Sequence, residues 1–575
     1  MRRKTALAVA VLPLYATLTA VAAPAASALP ALSGKTVEYS VLASDASGTA
    51  AIEAAARAAG GTVVASNKAV GLITVSAPEK GFTERVSRSR GVFAASRTRP
   101  VGYAPKAAPA PRPDAVEKEG AGASNKAPAG QQKAAKTAGM DPLDDKLWGL
   151  TSVRADLART RTIGDKRVKV GILDTGVDGN HPDIKPNFDK ALSRNFVRDM
   201  PFDELGQVFD GPCEFRGCVD PSDWDDNGHG THVAGTIAAA ADGFGVSGVA
   251  PGVTIVSIRG GQDSGTFFLQ SVVDAMTYSG DAGLDVVNMS FFTDPWLYNC
   301  DNNPADTPEQ QAQQRTIKTA TFRAMNYAYQ HGVTQVVSLG NQHSDLGAPQ
   351  PDASSPNFPA GTAHPRQIDN ATCLSLPIEG PHSIGVSALG PTGKKADYSN
   401  YGLEQISVSA PGGFFRDGFG TRWYRTLENE ILSTMPRNVA LAAGLIDAAG
   451  NITPAGVTAG IQKATKPDGT VGFYQWLQGT SMASPHAAGV AALIVSQYGK
   501  YSGGQVTMNP DRVQKVIEGT AFKTPCPTPR TVDYLKEGRD ASFTATCEGD
   551  VQFNGFYGHG QVDAYAAVTR GAEFL

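Results

Sequence analysis

The sequence predicts a doubly wound α/β domain with helices on both faces of a mostly parallel sheet, preceded by a small ferredoxin-like α+β unit. Four short apolar runs within residues 141–575 suit buried parallel strands, at 168–173, 254–258, 285–289 and 334–339. Helical stretches around 233–241 and 270–278 lie between them, and this alternation is typical of doubly wound domains. Segments rich in Gly, Asn, Pro and charged residues predict loops at 292–330, 412–430 and 437–470.

The small unit is predicted at residues 35–97. Apolar and β-branched runs indicate strands at 37–42, 62–65, 72–75 and 92–95. Helices are predicted at 50–59 and 79–88. Residues 101–139 are rich in Ala, Pro, Gly and Lys and almost lack bulky apolar side chains, so we expect a linker there.

The N-terminus has the pattern of a secretory signal peptide. Three basic residues at 2–4 precede an apolar stretch over 6–23, and small residues at 26–28 suit a cleavage site. The alternative is a membrane anchor, which prolines in and beside the stretch and the missing stop-transfer charges disfavour. We expect residues 1–28 to be removed, leaving a secreted, extracellular protein with no membrane partner.

The charge of the chain is unevenly distributed. Residues 1–139 hold 18 Lys and Arg against 8 Asp and Glu, whereas the remaining residues hold 33 basic and 47 acidic side chains. A nucleic-acid-binding protein carries its basic excess on the folded body, and here that body is acidic. We therefore expect no nucleic acid partner.

Six cysteines agree with export, because an even number in an exported chain indicates disulfides. Many connectivities are open to six cysteines. Spacing favours two local pairs and leaves a third by elimination: Cys213 with Cys218, Cys526 with Cys547, and Cys300 with Cys373. The sequence contains no Cys-x-x-Cys motif, so it indicates neither a zinc site nor a thioredoxin-type motif.

Three segments together indicate nucleophilic catalysis. They are 171–178 (GILDTGVD), 227–236 (NGHGTHVAGT) and 479–486 (GTSMASPH). A serine hydroxyl becomes a strong nucleophile when an imidazole takes its proton, and a buried carboxylate orients that imidazole. Asp174, His229 and Ser481 supply these groups. Each alone is also explained by a turn, a structural histidine or a helix cap.

These segments, in the order Asp, His and Ser, resemble the signatures of the subtilisin-like serine peptidases. The resemblance runs from about Trp148 to 558–564 and includes 249–252 (VAPG) and 410–412 (APG). It implies a subtilisin-like fold and a secreted bacterial-type endopeptidase that cleaves protein or peptide substrates through an acyl-enzyme intermediate, with no catalytic cofactor. An α/β-hydrolase is excluded, because Ser481 lies outside a Gly-x-Ser-x-Gly motif and the order of the residues differs.

The resemblance implies further site residues. Asn341 ends the segment 336–341 and matches the family's asparagine that donates to the oxyanion, beside a backbone N–H of the nucleophile. Gly340, Ser290 and Phe291 match positions that contact substrate. The continuation after Ser290 is bulkier than is usual in the family, so the preferred side chain of the substrate stays open.

Other polar residues near the motifs have less specific interpretations. Asp225 and Asp226 would either favour a basic residue near the cleaved bond or be solvated loop charges. We expect His181, His232 and His486 to be structural.

A structural calcium ion is a further expectation from the resemblance. Asp183 and Asp242 match family positions that offer oxygen ligands, and Asp144 lies near a third. Carboxylates and loop carbonyls are the ligands that calcium prefers.

The unit at 35–97 resembles the propeptides of the family, which assist folding and block the active site until they are removed. We expect a propeptide at 29–100 that acts as an intramolecular inhibitor, a linker with the processing site at 101–140, and a monomeric peptidase domain at 141–575. Three alternatives stay open: a permanent accessory domain, a relative without activity, and a selective processing enzyme in place of a general degradative one.

Overall fold

The computed structural model describes residues 36–98, 116–120, 141–202, 206, 208–293, 295–357 and 362–575. The predicted signal peptide and most of the predicted linker lie outside the described residues. Among the residues that are described, no helix has both the length and the apolar character needed to cross a bilayer.

The N-terminal unit is a four-stranded antiparallel sheet with two helices. Its elements are, in chain order, β1 (Thr36–Ala43), α1 (Thr49–Ala58), β2 (Thr62–Asn67), β3 (Leu72–Pro78), α2 (Phe82–Val86) and β4 (Val92–Arg97). The strand order is β2-β3-β1-β4, with antiparallel neighbours throughout. This is the β-α-β-β-α-β arrangement of ferredoxin-like units, and each predicted element is found with its ends shifted by a few residues.

The main domain follows. Its helices are α3 (Trp148–Ser152), α4 (Ala155–Ala158), α5 (His229–Ala238), α6 (Leu269–Asp281), α7 (Pro308–Gln330), α8 (Arg437–Ala442), α9 (Pro454–Thr458), α10 (Thr480–Tyr498), α11 (Pro510–Thr520) and α12 (Ala564–Arg570). Its strands are β5 (Lys169–Leu173), β6 (Arg194–Asn195), β7 (Thr254–Arg259), β8 (Val286–Met289), β9 (Asn299–Cys300), β10 (Thr334–Ser338), β11 (Cys373–Leu374), β12 (Ser383–Leu389), β13 (Ile406–Pro411), β14 (Ile431–Met435), β15 (Gln462–Thr465), β16 (Val471–Leu477), β17 (Lys500–Ser502), β18 (Gln505–Thr507), β19 (Thr531–Val532) and β20 (Ala545–Thr546).

A seven-stranded sheet with parallel neighbours lies at the centre of this domain, in the order β13-β12-β10-β8-β5-β7-β6. Alternate side chains of a strand point to opposite faces. In β10, Val336 packs into the apolar cluster that contains α5 and α10, whereas Val337 packs into the cluster that contains α6 and α7. Helices therefore cover both faces, and the doubly wound prediction is confirmed.

The structure corrects the predicted loop at 292–330, because α7 fills most of that segment. Its polar composition hides a narrow buried stripe that includes Ile317 and Ala324. The helix begins with a capping box: Gln310 N donates to Thr307 Oγ1, and Thr307 N donates to Gln310 Oε1 at 2.8 Å. The predicted loop at 437–470 likewise contains α8, α9 and β15.

Apolar contacts and a charged donor join the N-terminal unit to α6 and α7. Leu42, Val70 and Leu72 belong to the buried cluster that contains these two helices. Arg323 of α7 donates to the carbonyls of Ala43 and Val70 at 3.0 and 2.9 Å. The unit therefore docks through its sheet.

Side-chain hydrogen bonds between the unit and α6 add to this contact. Asn67 Nδ2 donates to Asp274 Oδ1 at 2.7 Å and to Thr277 Oγ1 at 2.8 Å. Thr74 Oγ1 donates to Gln270 Oε1 at 2.9 Å. The interface combines apolar burial with directional bonds, which restrict how the unit can sit.

The three disulfides have the expected pairing. They join Cys213 with Cys218, Cys300 with Cys373, and Cys526 with Cys547. The disulfide prediction is confirmed.

We expect Arg323→Ala to weaken docking of the N-terminal unit, because the carbonyls of Ala43, Ser44 and Val70 lose a charged donor. Hydrogen bonds from charged groups contribute about 1.5–3 kcal/mol each. In a Ser481→Ala chain, which keeps the unit attached, amide hydrogen exchange over residues 36–78 should accelerate at least about tenfold. Arg315→Ala is the matched control, because Arg315 lies on α7 but donates to Asp301 O at 2.7 Å. Equal protection in both variants would contradict this docking role.

Candidate active site

Asp174 follows the last residue of β5, at the carboxyl edge of the sheet where ligands gather in open parallel folds. Its side chain is fully buried. Asp174 Oδ1 lies 2.7 Å from His229 Nδ1 and accepts a hydrogen bond from Thr175 N at 2.8 Å. The carboxylate thus holds one nitrogen of the imidazole and leaves the other directed away from it.

His229 is the first residue of α5, and two glycines let this helix start close to Asp174. Gly228 has φ of 94°, in the left-handed region that favours glycine. A Cβ at Gly230 would lie 2.1 Å from Gly176 O and 3.0 Å from Asp174 Cβ. The sequence Gly-His-Gly is therefore what allows the imidazole to reach the carboxylate.

Ser481 is the second residue of α10, where backbone N–H groups have no acceptor within the helix. Pro485, four residues later, has no N–H to donate to the Ser481 carbonyl. Ser290 Oγ donates to that carbonyl at 3.1 Å in its place, and it also bonds Ser484 Oγ at 2.8 Å. The Ser290 side chain therefore supports the helix that carries Ser481, and substrate contact at this position stays a prediction.

Asn341 lies beside this helix start. Its Oδ1 accepts hydrogen bonds from Thr480 N at 2.9 Å and from Thr480 Oγ1 at 2.8 Å. Gly340 N also donates to Thr480 Oγ1, at 3.0 Å, and Gly340 has φ of 103°. With its oxygen anchored, the Nδ2 group of Asn341 remains as the donor that an oxyanion requires.

Phe291 is also nearby, following Ser290 at the carboxyl edge of the sheet. It is stacked on Phe267 with ring centroids 4.1 Å apart and planes 6° apart. Stacked aromatic rings form a flat apolar wall. Both rings are buried, so the Phe291 side chain packs within the chain, and substrate contact at this position stays a prediction.

Five residues of the predicted linker lie in this site. Glu117 is buried, and its Oε1 is 3.5 Å from His229 Nε2. Gln478 N donates to Glu117 O at 3.1 Å, and Gln478 Nε2 donates to Val116 O at 3.0 Å. Gly120 N donates to Glu430 Oε1 at 2.9 Å. Residues 116–120 thus have a defined position that the linker prediction did not anticipate.

One signal in the sequence marks this segment. Among residues 101–139, the only acidic side chains are Asp114, Glu117 and Glu119, within a stretch that is otherwise basic or neutral. This acidic cluster distinguishes the segment from the rest of the linker, but it does not identify the residues that the segment contacts.

The two carboxylates on either side of His229 alter its ionisation. Burial opposes the charged imidazole, but Asp174 and Glu117 outweigh it and raise the pKa of His229 well above its usual value. A protonated imidazole cannot accept a proton from a serine. Glu117 therefore adds to the effect of Asp174 in favouring the charged imidazole.

Asp225 and Asp226 are hydrogen-bonded within the chain and are not free loop charges, and a preference for a basic residue near the cleaved bond stays a prediction. Asp225 is buried and accepts hydrogen bonds from Thr231 N at 3.0 Å and Gly228 N at 2.9 Å, so it shapes the start of α5. Asp226 accepts from Trp224 Nε1 at 2.6 Å.

The three other motif histidines bind backbone carbonyls. His181 Nε2 lies 3.1 Å from Phe473 O, and His232 Nε2 lies 3.0 Å from Ile431 O. His486 Nδ1 lies 2.8 Å from a carbonyl in its own helix. Burial lowers their pKa values to about 4, 3 and 4 respectively, so they are neutral structural groups.

The three carboxylates expected to bind calcium do not fit as a set. Asp144 Oδ2 pairs with Arg159 Nη1 at 3.3 Å, and Asp242 Oδ2 pairs with Lys466 Nζ at 3.3 Å. Asp183 Oδ1 differs, because it is buried with no hydrogen-bond partner among the described residues.

Asp141 has the same feature as Asp183. Its Oδ2 is buried without a hydrogen-bond partner in the described part of the chain. Burial raises the pKa of Asp183 to about 8 and that of Asp141 to about 6. Asp183 and Asp141, rather than Asp144, offer the free oxygens that a hard cation requires.

A more compact group of three carboxylates surrounds an arginine side chain. Asp199, Asp220 and Asp263 lie close enough together to hold a metal ion. Arg259 occupies their centre, with Nη2 at 3.0 Å from Asp199 Oδ1 and 2.7 Å from Asp263 Oδ1, and it also pairs with Asp220.

Comparison with known sequences gives one family. The model of the subtilase family, Peptidase_S8, matches residues 165–560. Subtilisin DY of Bacillus licheniformis is 28% identical over 359 residues, which cover 62% of this chain and 88% of that protein. Fervidolysin of Fervidobacterium pennivorans is 29% identical over 391 residues, covering 66% of this chain and 41% of that protein.

Solved structures share the fold. The epidermin leader peptide processing serine protease of Staphylococcus aureus has a TM-score of 0.60 at 19% identity, covering 93% of this chain and 98% of that one. Fervidolysin has a TM-score of 0.52 at 22% identity, covering 93% of this chain and 61% of that one. At these identities the likeness concerns the fold.

Two variants of Asn341 separate the role of its Nδ2 group, which donates to the oxyanion, from that of its Oδ1 atom, which accepts hydrogen bonds from Thr480. Asn341→Asp keeps an oxygen for Thr480 but loses the Nδ2 donor, and Asn341→Ala loses both. If the donor matters, both should lower kcat by about 10²–10³ with little change in KM, the loss measured for the matching asparagine of a subtilisin. Steady-state hydrolysis of a peptide substrate provides the measurement. A drop only in Asn341→Ala would assign Asn341 to support of the helix instead.

Proposed function

This chain belongs to the subtilase family and is a serine endopeptidase, and we propose that it is exported as a precursor that blocks its own cleft. Subtilases need no cofactor for catalysis, and their substrates are proteins or peptides. We assign the nucleophile to Ser481, the general base to His229, the orienting carboxylate to Asp174 and the oxyanion donor to Asn341.

The chemistry follows from these assignments. His229 Nε2 takes the proton of Ser481 Oγ as the oxygen attacks the substrate carbonyl. Asp174 holds Nδ1–H and stabilises the imidazolium. Asn341 Nδ2 and the Ser481 N–H donate to the oxyanion, and His229 returns the proton to the leaving amine. In the second half of the reaction, His229 takes a proton from water as the water attacks the acyl-enzyme. It then returns that proton to Ser481 Oγ, which leaves as the free hydroxyl.

The observation that carries this assignment is the 2.7 Å contact between Asp174 Oδ1 and His229 Nδ1, beside a helix that begins at Thr480. One additional contact supports it, because Asn341 is bonded to the same helix start. In the described structure Ser481 Oγ donates to Ser290 O at 3.3 Å, and Glu117 rather than Ser481 lies at His229 Nε2. An inactive relative would be expected to lack one of these groups.

Self-inhibition is supported by the segment 116–120 and by the docked unit before it. Glu117 faces His229 Nε2, the nitrogen that must accept the serine proton. The sheet of residues 36–98 packs on α6 and α7 and so keeps the linker near the cleft. We place the processing site within 101–140, and the N-terminal unit acts as a propeptide rather than as a permanent domain.

Export is supported by the basic and apolar N-terminus and by the three disulfides, which form in oxidising compartments. We expect the released enzyme to act as an extracellular monomer. A structural calcium ion at Asp183 and Asp141 belongs to the same proposal, and no catalytic step depends on it.

The nucleophile is tested by Ser481→Ala. The unchanged chain of 60.0 kDa should trim itself to a smaller form that hydrolyses casein, whereas Ser481→Ala should stay at full length. Turnover should fall by about 10⁶, the loss found when the triad serine of subtilisin, a relative, is removed. Ser502→Ala, an exposed serine of β17, is the control and should behave as the unchanged chain does. Trimming and hydrolysis by Ser481→Ala would rule out the mechanism.

Glu117 is tested by the pH dependence of trimming. Its charge raises the pKa of His229, so Glu117→Gln should lower that pKa and increase the neutral imidazole at any given pH. We expect the acidic limb of the self-trimming rate to move to lower pH. Glu119→Gln removes a charge from the same segment but not from the His229 contact, so its limb should stay in place. If the self-trimming rate had the same pH dependence in the unchanged chain and in Glu117→Gln, the proposed inhibitory role of Glu117 would be contradicted.

A further inference from the structure

A pocket of two arginines and a glutamine encloses the carboxylate of Glu119 in the cleft. Arg416 Nε lies 2.5 Å from Glu119 Oε1, and Arg539 Nη2 lies 3.0 Å from Glu119 Oε2. Gln478 Nε2 donates to Glu119 Oε2 at 3.0 Å. We propose that this pocket is a substrate subsite that recognises an acidic side chain of the peptide to be cleaved, an inference that rests on the proposed peptidase function.

Both arginines are held in place by groups other than Glu119. Arg539 Nε pairs with the fully buried Asp397 at 2.5 Å, and its guanidinium lies 4.8 Å from the centre of the Phe543 ring. Arg416 Nη1 donates to the carbonyls of Glu537 and Gly538 at 3.0 and 3.2 Å. The pocket therefore keeps its shape when Glu119 leaves, which lowers the entropic cost of binding the next carboxylate.

The pocket carries a net positive charge that a bound anion would neutralise. Arg416 and Arg539 carry two positive charges, and Asp397 compensates one of them. Glu537 is engaged by Lys394. Each arginine side chain is less than one-fifth exposed, so the remaining charge is only partly solvated. A carboxylate on a peptide restores the balance through charge-assisted, two-sided hydrogen bonding.

Two further ionisable groups face the same region. Glu430 binds Gly120 N, and burial raises its pKa to about 8, so it adds little negative charge at neutral pH. Lys395 is buried beside Asp397, and burial lowers its pKa to about 7. Neither group cancels the positive charge of the two arginines.

The pocket adjoins the reacting groups. Gln478, which contacts Glu119, lies three residues before Ser481, and its N–H binds the backbone of Glu117. Glu117 in turn lies at His229 Nε2. A substrate that follows the same path would place the recognised acidic residue two positions after the one beside His229.

The experiment uses the full chain with Glu119→Gln, which removes the pocket's own carboxylate. Peptide pairs differ only by Glu or Gln, at one position at a time around a mapped cleavage bond. At one position we expect Glu to raise kcat/KM about tenfold over Gln, as a charge-assisted bond of this kind predicts. Adding Arg416→Gln should remove this preference, so that the Glu and Gln peptides are cut with equal kcat/KM. Adding Arg416→Glu should favour Lys at that position.

Arg422→Gln is the matched control, because Arg422 is an exposed arginine near Arg416 that stacks on Trp423. It should keep the Glu preference. Equal cleavage of Glu and Gln peptides at every position, or a preference that survives Arg416→Gln, would overturn the subsite. If the Arg416 variants fail to fold, the Glu and Gln comparison on the Glu119→Gln chain decides alone. Failure to cut any peptide would instead count against the peptidase proposal itself.

Discussion

The hydrogen bond between Asp174 Oδ1 and His229 Nδ1, at 2.7 Å, links the carboxyl end of β5 to the start of α5. The bond requires the close approach that Gly230 and Gly176 permit, since a side chain at Gly230 would overlap the backbone of Gly176. Parallel strands then bring Ser290 and Asn341 to the same edge of the sheet. Asp174, Ser290 and Asn341 therefore lie at one edge of the sheet because the strands end together.

The nucleophile depends on a related constraint. Pro485 removes one hydrogen bond from the first turns of α10, and Ser290 restores it from the neighbouring strand end. Asn341 fixes the preceding residue, Thr480, through two hydrogen bonds. Contacts from two different strand ends therefore hold the position of Ser481, which suits a site that must be arranged before substrate binds.

Electrostatics connect catalysis, restraint and recognition. The carboxylates of Asp174 and Glu117 both favour the charged form of His229, from its two different ring nitrogens. Two residues further along the chain, Glu119 neutralises Arg416 and Arg539. The linker thus places an acidic side chain against the two arginines of the cleft. Under the proposed subsite, a substrate peptide would place an acidic side chain at the same position.

The sequence alone determined the candidate catalytic residue types, their order and the main strands, because each leaves a local pattern of motif or apolar run, whereas it left the pairing of the six cysteines open. Tertiary structure decided the features whose causes lie far apart in the chain. The buried stripe of α7 is defined by its packing against α6 and the N-terminal unit. Asp144, which was expected to bind calcium, forms an ion pair with Arg159 instead. The contact of Glu117 with His229 spans more than a hundred residues. Such contacts depend on which surfaces meet after folding, and no local pattern records them.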